Sequence, residues 1–169
     1  SKNYENVTKI WLNDESYDNH YKWRLMSANG IPDKLITGDG DDYEKLIDWT
    51  ATIKKVLRNP LYEWAHVELP RFFHIDETLN TKTAPEIWKK ANALLQTEAF
   101  KPRNLIKNSN VKAVCTTDDP ADDLHFHKLI AEEEEKNGFK TLPALRPDKL
   151  IHIELSTYAE YIEKLGRIA

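Results

Sequence analysis

Apolar residues recur at helical spacing through most of the first 109 positions. They do so in "NVTKIWL" (6–12) and again in "DYEKLIDWTATIKKVL" (42–57), where they lie on roughly one face. The segment "TAPEIWKKANALL" (83–95) is also amphipathic, and Pro85 stands in its first turn, where proline is well tolerated. This part of the chain therefore predicts an array of helices.

Glycine, proline and aspartate residues indicate where these helices begin and end. The segment "HYKWRLMSANG" (20–30) should close at Gly30 in a left-handed conformation. An Asp-Gly-Asp turn ending at Asp41 supplies a loop and a cap for the helix that follows. Pro60 suits the first turn of the next helix, which Pro70 should end or kink because proline has no backbone N–H.

The pattern changes at Asn110. The run "VKAVCTT" (111–117) is rich in β-formers, "DDLHFHKLIAEEEEKNG" (122–138) predicts a helix capped by Gly138, and "FKTLPALRP" (139–147) is a second apolar run. Strand, helix and strand in this order form a βαβ unit, which predicts parallel strands and a right-handed crossover. A last helix is predicted over 156–168, with Ser156 as its N-cap.

Two parallel strands do not make a stable sheet alone, because parallel sheets are covered on both faces. Either further strands come from elsewhere in the chain, or residues 110–169 belong to a larger barrel or sheet.

Composition narrows the class of protein. The 169 residues suffice for one domain with a sizeable core, and 40% hydrophobic with 31% charged residues is typical of a soluble globular protein. A net charge of −4 argues against a nucleic-acid binder and weakly against a membrane-surface role. No apolar run has the length of a bilayer-spanning helix, and the polar N-terminus does not resemble a signal peptide. Cys115 is the single cysteine, so no disulfide framework exists and a cytoplasmic location is expected.

The His-Phe-His triplet at 125–127 is a candidate metal motif. On a strand, His125 and His127 would point to one face and could chelate a metal, whereas on a helix two residues turn about 200°. The apolar spacing continues as a helix, and Asp122 and Asp123 suit the start of one. A capped helix with at least one exposed histidine is therefore favoured over a metal site.

Two candidates lie at the predicted strand ends, where α/β folds place their chemistry. Asp118 and Asp119 follow the first strand, and a capping turn is the favoured interpretation of the pair over a catalytic role. Arg146 follows the second strand and presents a planar fork suited to a carboxylate or to enediolate charge. The structural alternative for Arg146 is an ion pair with Asp148 or Glu154, and neither interpretation is preferred.

The segment "NHYKWR" (19–24) gathers polar and aromatic side chains. Helical spacing sets His20 and Arg24 on one side, with Tyr21 about 100° round. Taken alone, the segment is interpreted as a core Trp23 flanked by surface polar residues. Most of the five tryptophans are interpreted as packing residues; they are at positions 11, 23, 49, 64 and 88.

Several uncommon strings occur together in the chain. In order, they are "NHYKWRLMSANGI", "ITGD", "NPLYEWAHVELPRFFHID", "TAPEIW", "VCTTDDP" and "LPALRPDK". Together they resemble the uronate isomerase (glucuronate isomerase) family of the amidohydrolase superfamily. The resemblance runs through nearly the whole chain and corresponds to roughly the N-terminal third to two-fifths of a family member, beginning after its first barrel strand.

The resemblance implies a distorted (β/α)8 barrel with a long helical insertion after its first strand. On that template residues 1–109 form the insertion and residues 110–169 form a βαβα segment of the barrel. The expected fold class is thus mostly α with a small parallel β component. The family interconverts D-glucuronate with D-fructuronate, and D-galacturonate with D-tagaturonate, by moving a proton between C2 and C1 through an enediol-like intermediate.

The resemblance also implies roles for single residues. His20 and Tyr21 match the family's His-Tyr pair and would reach the substrate from the insertion, Tyr21 by polarising a carbonyl or hydroxyl. Arg146 matches the arginine of Arg-Pro-Asp and would bind the substrate carboxylate or stabilise developing negative charge. Asp118 is a further candidate substrate-binding residue. The span 13–19, "NDESYDN", departs from the family by being longer than its usual link to the His-Tyr pair.

One divalent metal ion, zinc, is implied for the whole enzyme. Its family ligands are a His-x-His pair at the end of the first barrel strand and an Asp after the last strand. Neither is in this chain, and the late Asp, a candidate proton carrier, is absent with its neighbouring Arg. No cofactor is therefore expected to be bound by residues 1–169.

Three hypotheses follow. The favoured one is that the chain is part of a sugar-acid isomerase and is inactive without the remaining barrel, with a uronate as the small-molecule partner. The second is a helical interaction or oligomerisation module without catalysis of its own. The third, disfavoured by helix geometry, is a small metalloenzyme using His125, His127 and Asp118. A homo-oligomer is an open expectation, and neither nucleic acid nor membrane is an expected partner.

Overall fold

The computed structural model describes residues 3–12 and 19–168. The chain divides into two compact units, Ser1–Pro102 and Arg103–Ala169, and each is described by itself. The expected boundary between residues 109 and 110 concerns the barrel of a whole enzyme and stays a prediction. Within the described ranges, no helix has the length and apolar character needed to cross a membrane.

The regular elements of the first unit are all helices within its described residues, as predicted. Its helices are α1 (Val7–Trp11), α2 (His20–Ala28), α3 (Asp42–Ile53), α4 (Pro60–Phe73) and α5 (Ala84–Leu95), with 3-10 turns at Asp33–Leu35 and Glu98–Phe100.

The predicted helix ends are set by the expected residues in three cases. The carboxylate of Asp41 accepts hydrogen bonds from the backbone N–H groups of Tyr43 and Glu44, at 2.9 and 3.1 Å. Gly30 follows the end of α2 with a φ of 81°, the left-handed conformation that favours glycine. The side chain of Asn59 caps α4, which begins at the predicted proline.

Two helix ends differ from the prediction. The helix α3 stops at Ile53, because the apolar face does not continue: Leu57 is 69% exposed. Pro70 neither ends α4 nor interrupts it, since the helix continues to Phe73. The missing N–H removes one helical hydrogen bond, but Leu69 and Phe73 are both buried and hold the last turn in the core.

The core of the first unit receives side chains from all five of its helices. Fully buried large residues include Val7, Met26, Leu46, Trp49, Ile53, Leu69, Ile87 and Leu95. Of the tryptophans expected to pack, Trp11 and Trp49 are buried, whereas Trp64 is 54% exposed and does not have the predicted role.

The second unit contains the βαβ arrangement. Its elements are α6 (Pro102–Asn108), β1 (Ala113–Asp118), α7 (His125–Ala131), α8 (Glu134–Asn137), β2 (Lys140–Leu145), α9 (Asp148–Ile151) and α10 (Tyr158–Ile168). The two strands pair in parallel, with Ala113 opposite Lys140 and Asp118 opposite Leu145. Parallel pairing was predicted from the spacing and is confirmed.

The helix predicted over 122–138 is instead two short helices, α7 and α8. It begins three residues late, because Leu124 has a left-handed φ of 52° and the Asp123 carboxylate accepts from the backbone N–H of His125. The break at residues 132–133 falls in a run of four glutamates, one of which, Glu133, pairs with the guanidinium of Arg103 and with the ammonium of Lys136.

The last helix also begins later than predicted. The helix α10 starts at Tyr158, and the carbonyl of Thr157 accepts the hydrogen bond from the backbone N–H of Tyr161. The cap position therefore falls beyond Ser156, which was the predicted N-cap.

The two faces of the β1–β2 sheet differ in exposure. Along β1, Val114, Thr116 and Asp118 are half-buried, and His127 of α7 contacts this face through Thr116. The opposite face, which includes Cys115 and Thr117, is exposed. The parallel pair of the described residues therefore has one covered face and one exposed face.

Candidate functional site

The predicted pair His20 and Tyr21 forms the first turn of α2. Their rings lie close together, with centroids 4.1 Å apart and planes tilted by 36°. Tyr21 is 62% exposed, so its phenol is available to a ligand in this unit. The start of α2 thus presents an aromatic and polar pair to the surface.

Lys22, which the sequence interpretation did not single out, anchors this turn. Its ammonium donates a hydrogen bond to the backbone carbonyl of Trp11 at 2.8 Å, which links the start of α2 to the end of α1. Burial lowers the pKa of Lys22, and the nearby carboxylate of Glu68 acts in the opposite direction. Glu68 also accepts a hydrogen bond from the indole N–H of Trp11, at 2.7 Å. The backbone beneath His20 and Tyr21 is therefore held by a buried polar network.

An open, mostly apolar groove lies beside Tyr21. It has a volume of about 510 Å³ and is formed by α2 and the start of α4. Its lining residues are Tyr21, Arg24, Leu25, Ala28, Asn59, Pro60, Leu61 and Trp64. Arg24 is the charged side chain in this lining.

Asp118 and Arg146 meet at the carboxyl ends of the two strands. The backbone N–H of Arg146 donates to the carbonyl of Asp118 at 3.0 Å, and the backbone N–H of Ala144 donates to the Asp118 carboxylate at 3.2 Å. The guanidinium Nε of Arg146 lies 2.9 Å from Oδ2 of Asp148, so the alternative ion pair is present. Because the Arg146 side chain is still 63% exposed, this exposed pair contributes little stability and leaves the guanidinium accessible.

The Asp118 carboxylate has two further neighbours. Its Oδ2 lies 2.7 Å from Oγ1 of Thr116, which in turn lies 2.7 Å from Nε2 of His127. The other oxygen, Oδ1, is 3.6 Å from the same Nε2 atom. Both the Asp118 and the His127 side chains are largely buried. His127 is thus a partner of β1, whereas the side chain of His125 is exposed.

Asp119 is the centre of a second cluster. Its Oδ2 accepts from the ammonium of Lys149 at 2.6 Å, and its Oδ1 accepts from the hydroxyl of Tyr161 at 2.8 Å and the backbone N–H of Ala121 at 2.9 Å. The bond to Ala121 is the capping turn that Asp-Asp-Pro predicts. The remaining two bonds tie the end of β1 to α9 and α10.

The same contacts shift the titration of this cluster. The hydrogen bond from Lys149, followed by that from the Ala121 amide, lowers the pKa of Asp119 to about 2. Burial, followed by the hydrogen bond to Asp119, raises the pKa of Tyr161 to about 12. Asp119 therefore accepts as a carboxylate and Tyr161 donates as a neutral phenol at neutral pH.

We expect the Asp119 carboxyl to titrate near pH 2 in the folded protein, against 3.8 for an unperturbed aspartate. Because the unfolded chain binds more protons between these values, the stabilisation from this cluster is present above pH 3.8 and is lost as the pH falls toward 2. Carbon-13 NMR titration of the carboxyl checks this. Lys149→Met should raise the pKa of Asp119, while Lys140→Met, which removes a cation paired with Glu134, should leave it unchanged. An Asp119 that titrates near 3.8 in the wild type contradicts the assignment.

The described residues do not assemble a metal site. Among them, no group of three or more His, Cys, Asp or Glu side chains is arranged to hold a metal ion. His127 approaches Asp118, but His125 does not join them. The geometry therefore does not fit the metalloenzyme hypothesis built on His125, His127 and Asp118.

The predicted site residues form two pairs in different units. His20 contacts Tyr21 in the first unit, and Asp118 contacts Arg146 in the second. The longer link before His20 falls mostly on residues 13–18, outside the described residues. Thr116 was missed by sequence reasoning, although its i, i+2 spacing places it on the same strand face as Asp118.

The comparisons with known proteins identify the family to which the chain is similar. The glucuronate isomerase family model matches residues 1–169. The chain is 62% identical over its whole length to the uronate isomerase of Latilactobacillus sakei, of which it covers 36%, and 57% identical to that of Lactococcus lactis, of which it covers 34%. Against the crystal structure of uronate isomerase from Thermotoga maritima, the TM-score is 0.86 at 33% identity, over 98% of this chain and 35% of that one.

The helical unit, the βαβ unit and these sequence matches together indicate the class of sugar-acid isomerases. The chain belongs to the glucuronate isomerase family. It spans about a third of the length of the curated relatives that it matches.

Proposed function

We propose that this chain acts as part of a uronate isomerase that interconverts D-glucuronate with D-fructuronate and D-galacturonate with D-tagaturonate. The observation that carries the proposal is the family match across residues 1–169. The net reaction moves one proton from C2 of the aldose to C1 and the hydroxyl proton from O2 to O1. The carbonyl therefore passes from C1 to C2, and no oxidant or reductant is consumed.

We further propose that residues 110–169 form a segment of a (β/α)8 barrel. Support comes from the parallel pairing of β1 and β2 and from the exposed sheet face, which a barrel would turn toward its interior. Exposed apolar side chains on the second unit, among them Leu142, Leu145 and Ile153, support the same proposal because further elements would cover them.

In this proposal Arg146 binds the acidic end of the substrate or the charge that develops at C1 and C2. Side chains alternate along β2, so Arg146 follows on the face opposite to Leu145 and to the α7-covered residues of β1. That face is the interior of the proposed barrel. A guanidinium at the carboxyl end of a barrel strand has the positive charge that a uronate carboxylate requires, and it lies where barrel enzymes place their active sites.

His20 and Tyr21 are proposed to contact the substrate from the helical region. The Tyr21 phenol would donate a hydrogen bond to the carbonyl or hydroxyl oxygen at the reacting carbons, which favours the enediol-like state. The buried network of Lys22, Trp11 and Glu68 supports this role because it fixes the turn that carries the pair.

A divalent metal, which the family implies for the whole enzyme, is assigned to ligands outside the described residues. Among residues 3–12 and 19–168, no group of three candidate ligands is arranged to hold a metal ion. Self-association of the helical region stays a prediction, which light scattering of the purified protein checks.

The proposed function is tested by assaying the full-length protein that contains this chain. Conversion of D-glucuronate and D-galacturonate to the ketoses, followed by NMR, is the expected result. The 169-residue chain alone should be inactive, because the candidate metal and proton-transfer residues of the family are outside it. Absence of turnover by the full-length protein overturns the function, and measurable turnover by the chain alone overturns the requirement for the remaining barrel.

For Tyr21→Phe in the full-length protein, we expect kcat to fall roughly 10- to 100-fold, because one hydrogen bond that strengthens in the transition state is lost. Steady-state kinetics on D-glucuronate measure this. Tyr62→Phe is the matched control, since Tyr62 lies on α4 with its ring against His66 and should leave kcat within about twofold. Unchanged kinetics for Tyr21→Phe remove Tyr21 from the site.

A further inference from the structure

We propose that Thr116 and His127 are positioning residues that aim Arg146 at the substrate by fixing the carboxylate of Asp118. The inference rests on the proposed function, since it takes Arg146 as the group that binds the uronate. In this inference Asp118 fixes the backbone at Arg146 and does not bind the substrate itself. His127, on α7, orients Thr116 and does not bind a metal.

Asp118 holds the end of β2 at two points. Its backbone carbonyl accepts from the N–H of Arg146 at 3.0 Å, and its carboxylate accepts from the N–H of Ala144 at 3.2 Å. These two amides flank Leu145. The backbone of residues 144–146, which carries the Arg146 side chain, is therefore fixed to Asp118. The guanidinium is then oriented by Asp148, 2.9 Å from its Nε.

Thr116 determines where the Asp118 carboxylate lies. The Thr116 hydroxyl has two acceptors within reach, Oδ2 of Asp118 at 2.7 Å and the backbone carbonyl of Leu142 at 3.4 Å, and its single proton is donated to the nearer carboxylate oxygen. Oγ1 then accepts from Nε2–H of His127, which assigns the tautomer of that ring. The hydrogen-bonded chain runs from α7 through Thr116 and Asp118 to the backbone of Ala144.

Burial separates the positioning residues from the residue that binds. Relative exposure is 14% for the Asp118 side chain and 17% for His127, against 63% for Arg146. Asp118 also lies on the strand face covered by α7, and its Oδ2 already accepts from Thr116 and Ala144. Such a carboxylate is engaged within the protein, whereas Arg146 is accessible.

The test compares Thr116→Val with Thr116→Ser in the full-length protein. Valine keeps the shape and removes the hydroxyl, while serine keeps the hydroxyl. We expect Thr116→Val to raise KM for D-glucuronate about tenfold with a smaller change in kcat, because an arginine that binds the carboxylate of both ground and transition state is misplaced. Thr116→Ser should stay within about twofold of the wild type.

A double-mutant cycle separates positioning from general destabilisation. In an Arg146→Lys background, Thr116→Val should change kcat/KM by less than about twofold, because the bidentate arginine contact that it misaims is already gone. If Thr116→Val lowers kcat/KM by the same factor in both backgrounds, the inference is overturned.

His127→Leu and His127→Gln form a second pair of variants, since the glutamine amide can replace the Nε2–H donor. We expect His127→Leu to raise KM for D-glucuronate as Thr116→Val does, and His127→Gln to restore a KM near that of the wild type.

Amide hydrogen exchange gives a readout that does not depend on turnover. Exchange at Ala144 and Arg146 should accelerate at least about tenfold in Thr116→Val and stay near wild type in Thr116→Ser. Unchanged exchange in both variants overturns the positioning role even if the protein is an active isomerase. A third outcome is that exchange accelerates in Thr116→Val although the wild-type protein turns over no uronate. That outcome would refute the proposed function but would support the hydrogen-bonded chain.

Discussion

Replacing Arg146 with methionine in the full-length protein is expected to lower kcat/KM for D-glucuronate roughly 100- to 1,000-fold. Methionine keeps an unbranched apolar stem but removes the guanidinium, which in this proposal binds the substrate carboxylate or the developing negative charge. Loss of such a charged contact commonly accounts for an effect of this size. The exposed position of Arg146 at the end of β2 means that the fold should survive the change. Steady-state kinetics on both uronates measure the effect.

Arg167→Met is the matched control for this experiment. Arg167 is an exposed arginine near the end of α10 that also pairs with a carboxylate, that of Glu163 at 3.5 Å. Its replacement should leave kcat/KM within about twofold of the wild type. Wild-type kinetics for Arg146→Met would remove Arg146 from the site.

The second large effect is expected from Trp49→Ala, which should lower the free energy of unfolding by about 3–5 kcal/mol. Trp49 is 1% exposed in the core of the first unit, so alanine removes buried apolar surface and leaves a cavity. Urea unfolding followed by far-UV circular dichroism measures the change. Trp64→Ala is the matched control, because a side chain that is 54% exposed should cost much less.

Trp49→Phe refines this prediction. The indole N–H of Trp49 is buried without a hydrogen-bond partner among the described residues, and phenylalanine removes that unsatisfied donor. We expect a loss smaller than that of Trp49→Ala, since part of the cavity cost is offset. Equal losses for Trp49→Ala and Trp64→Ala would contradict the assignment of Trp49 as a core residue.

Much of the secondary structure could be predicted, because its causes are local. Gly30 and Asp41 act within one helical turn, and the β-formers of 113–118 need no distant partner to be identified. The helix does not end at Pro70, because burial of the neighbouring side chains outweighs one lost hydrogen bond. The prediction failed at residues 132–133, where a two-residue turn separates α7 from α8 and Glu133 pairs with Arg103, 30 positions away.

Some residues of the candidate site could likewise be predicted from the sequence, and others could not. Asp118 and Arg146 could be selected from sequence because residues at the carboxyl end of a parallel strand lie at the edge of the sheet where α/β folds place their active sites. Asp119 and Tyr161 are 42 positions apart, and Thr116 and His127 are 11 positions apart across a turn. No spacing rule connects such residues, since their contact depends on how helices pack against strands.

Periodicity, caps and the residues at the strand ends, together with a family resemblance, were thus readable from the printed chain, because each depends on neighbours within a few positions. The hydrogen-bonded chain from His127 to the backbone of Ala144 and the network around Asp119 arise only once β1, β2 and the helices are packed. Packing brings together donors and acceptors that are remote in sequence, and their burial makes each satisfied bond specific in direction. Because of that packing, Asp118 is a buried, engaged carboxylate, while Arg146, adjacent to it in the sheet, stays exposed.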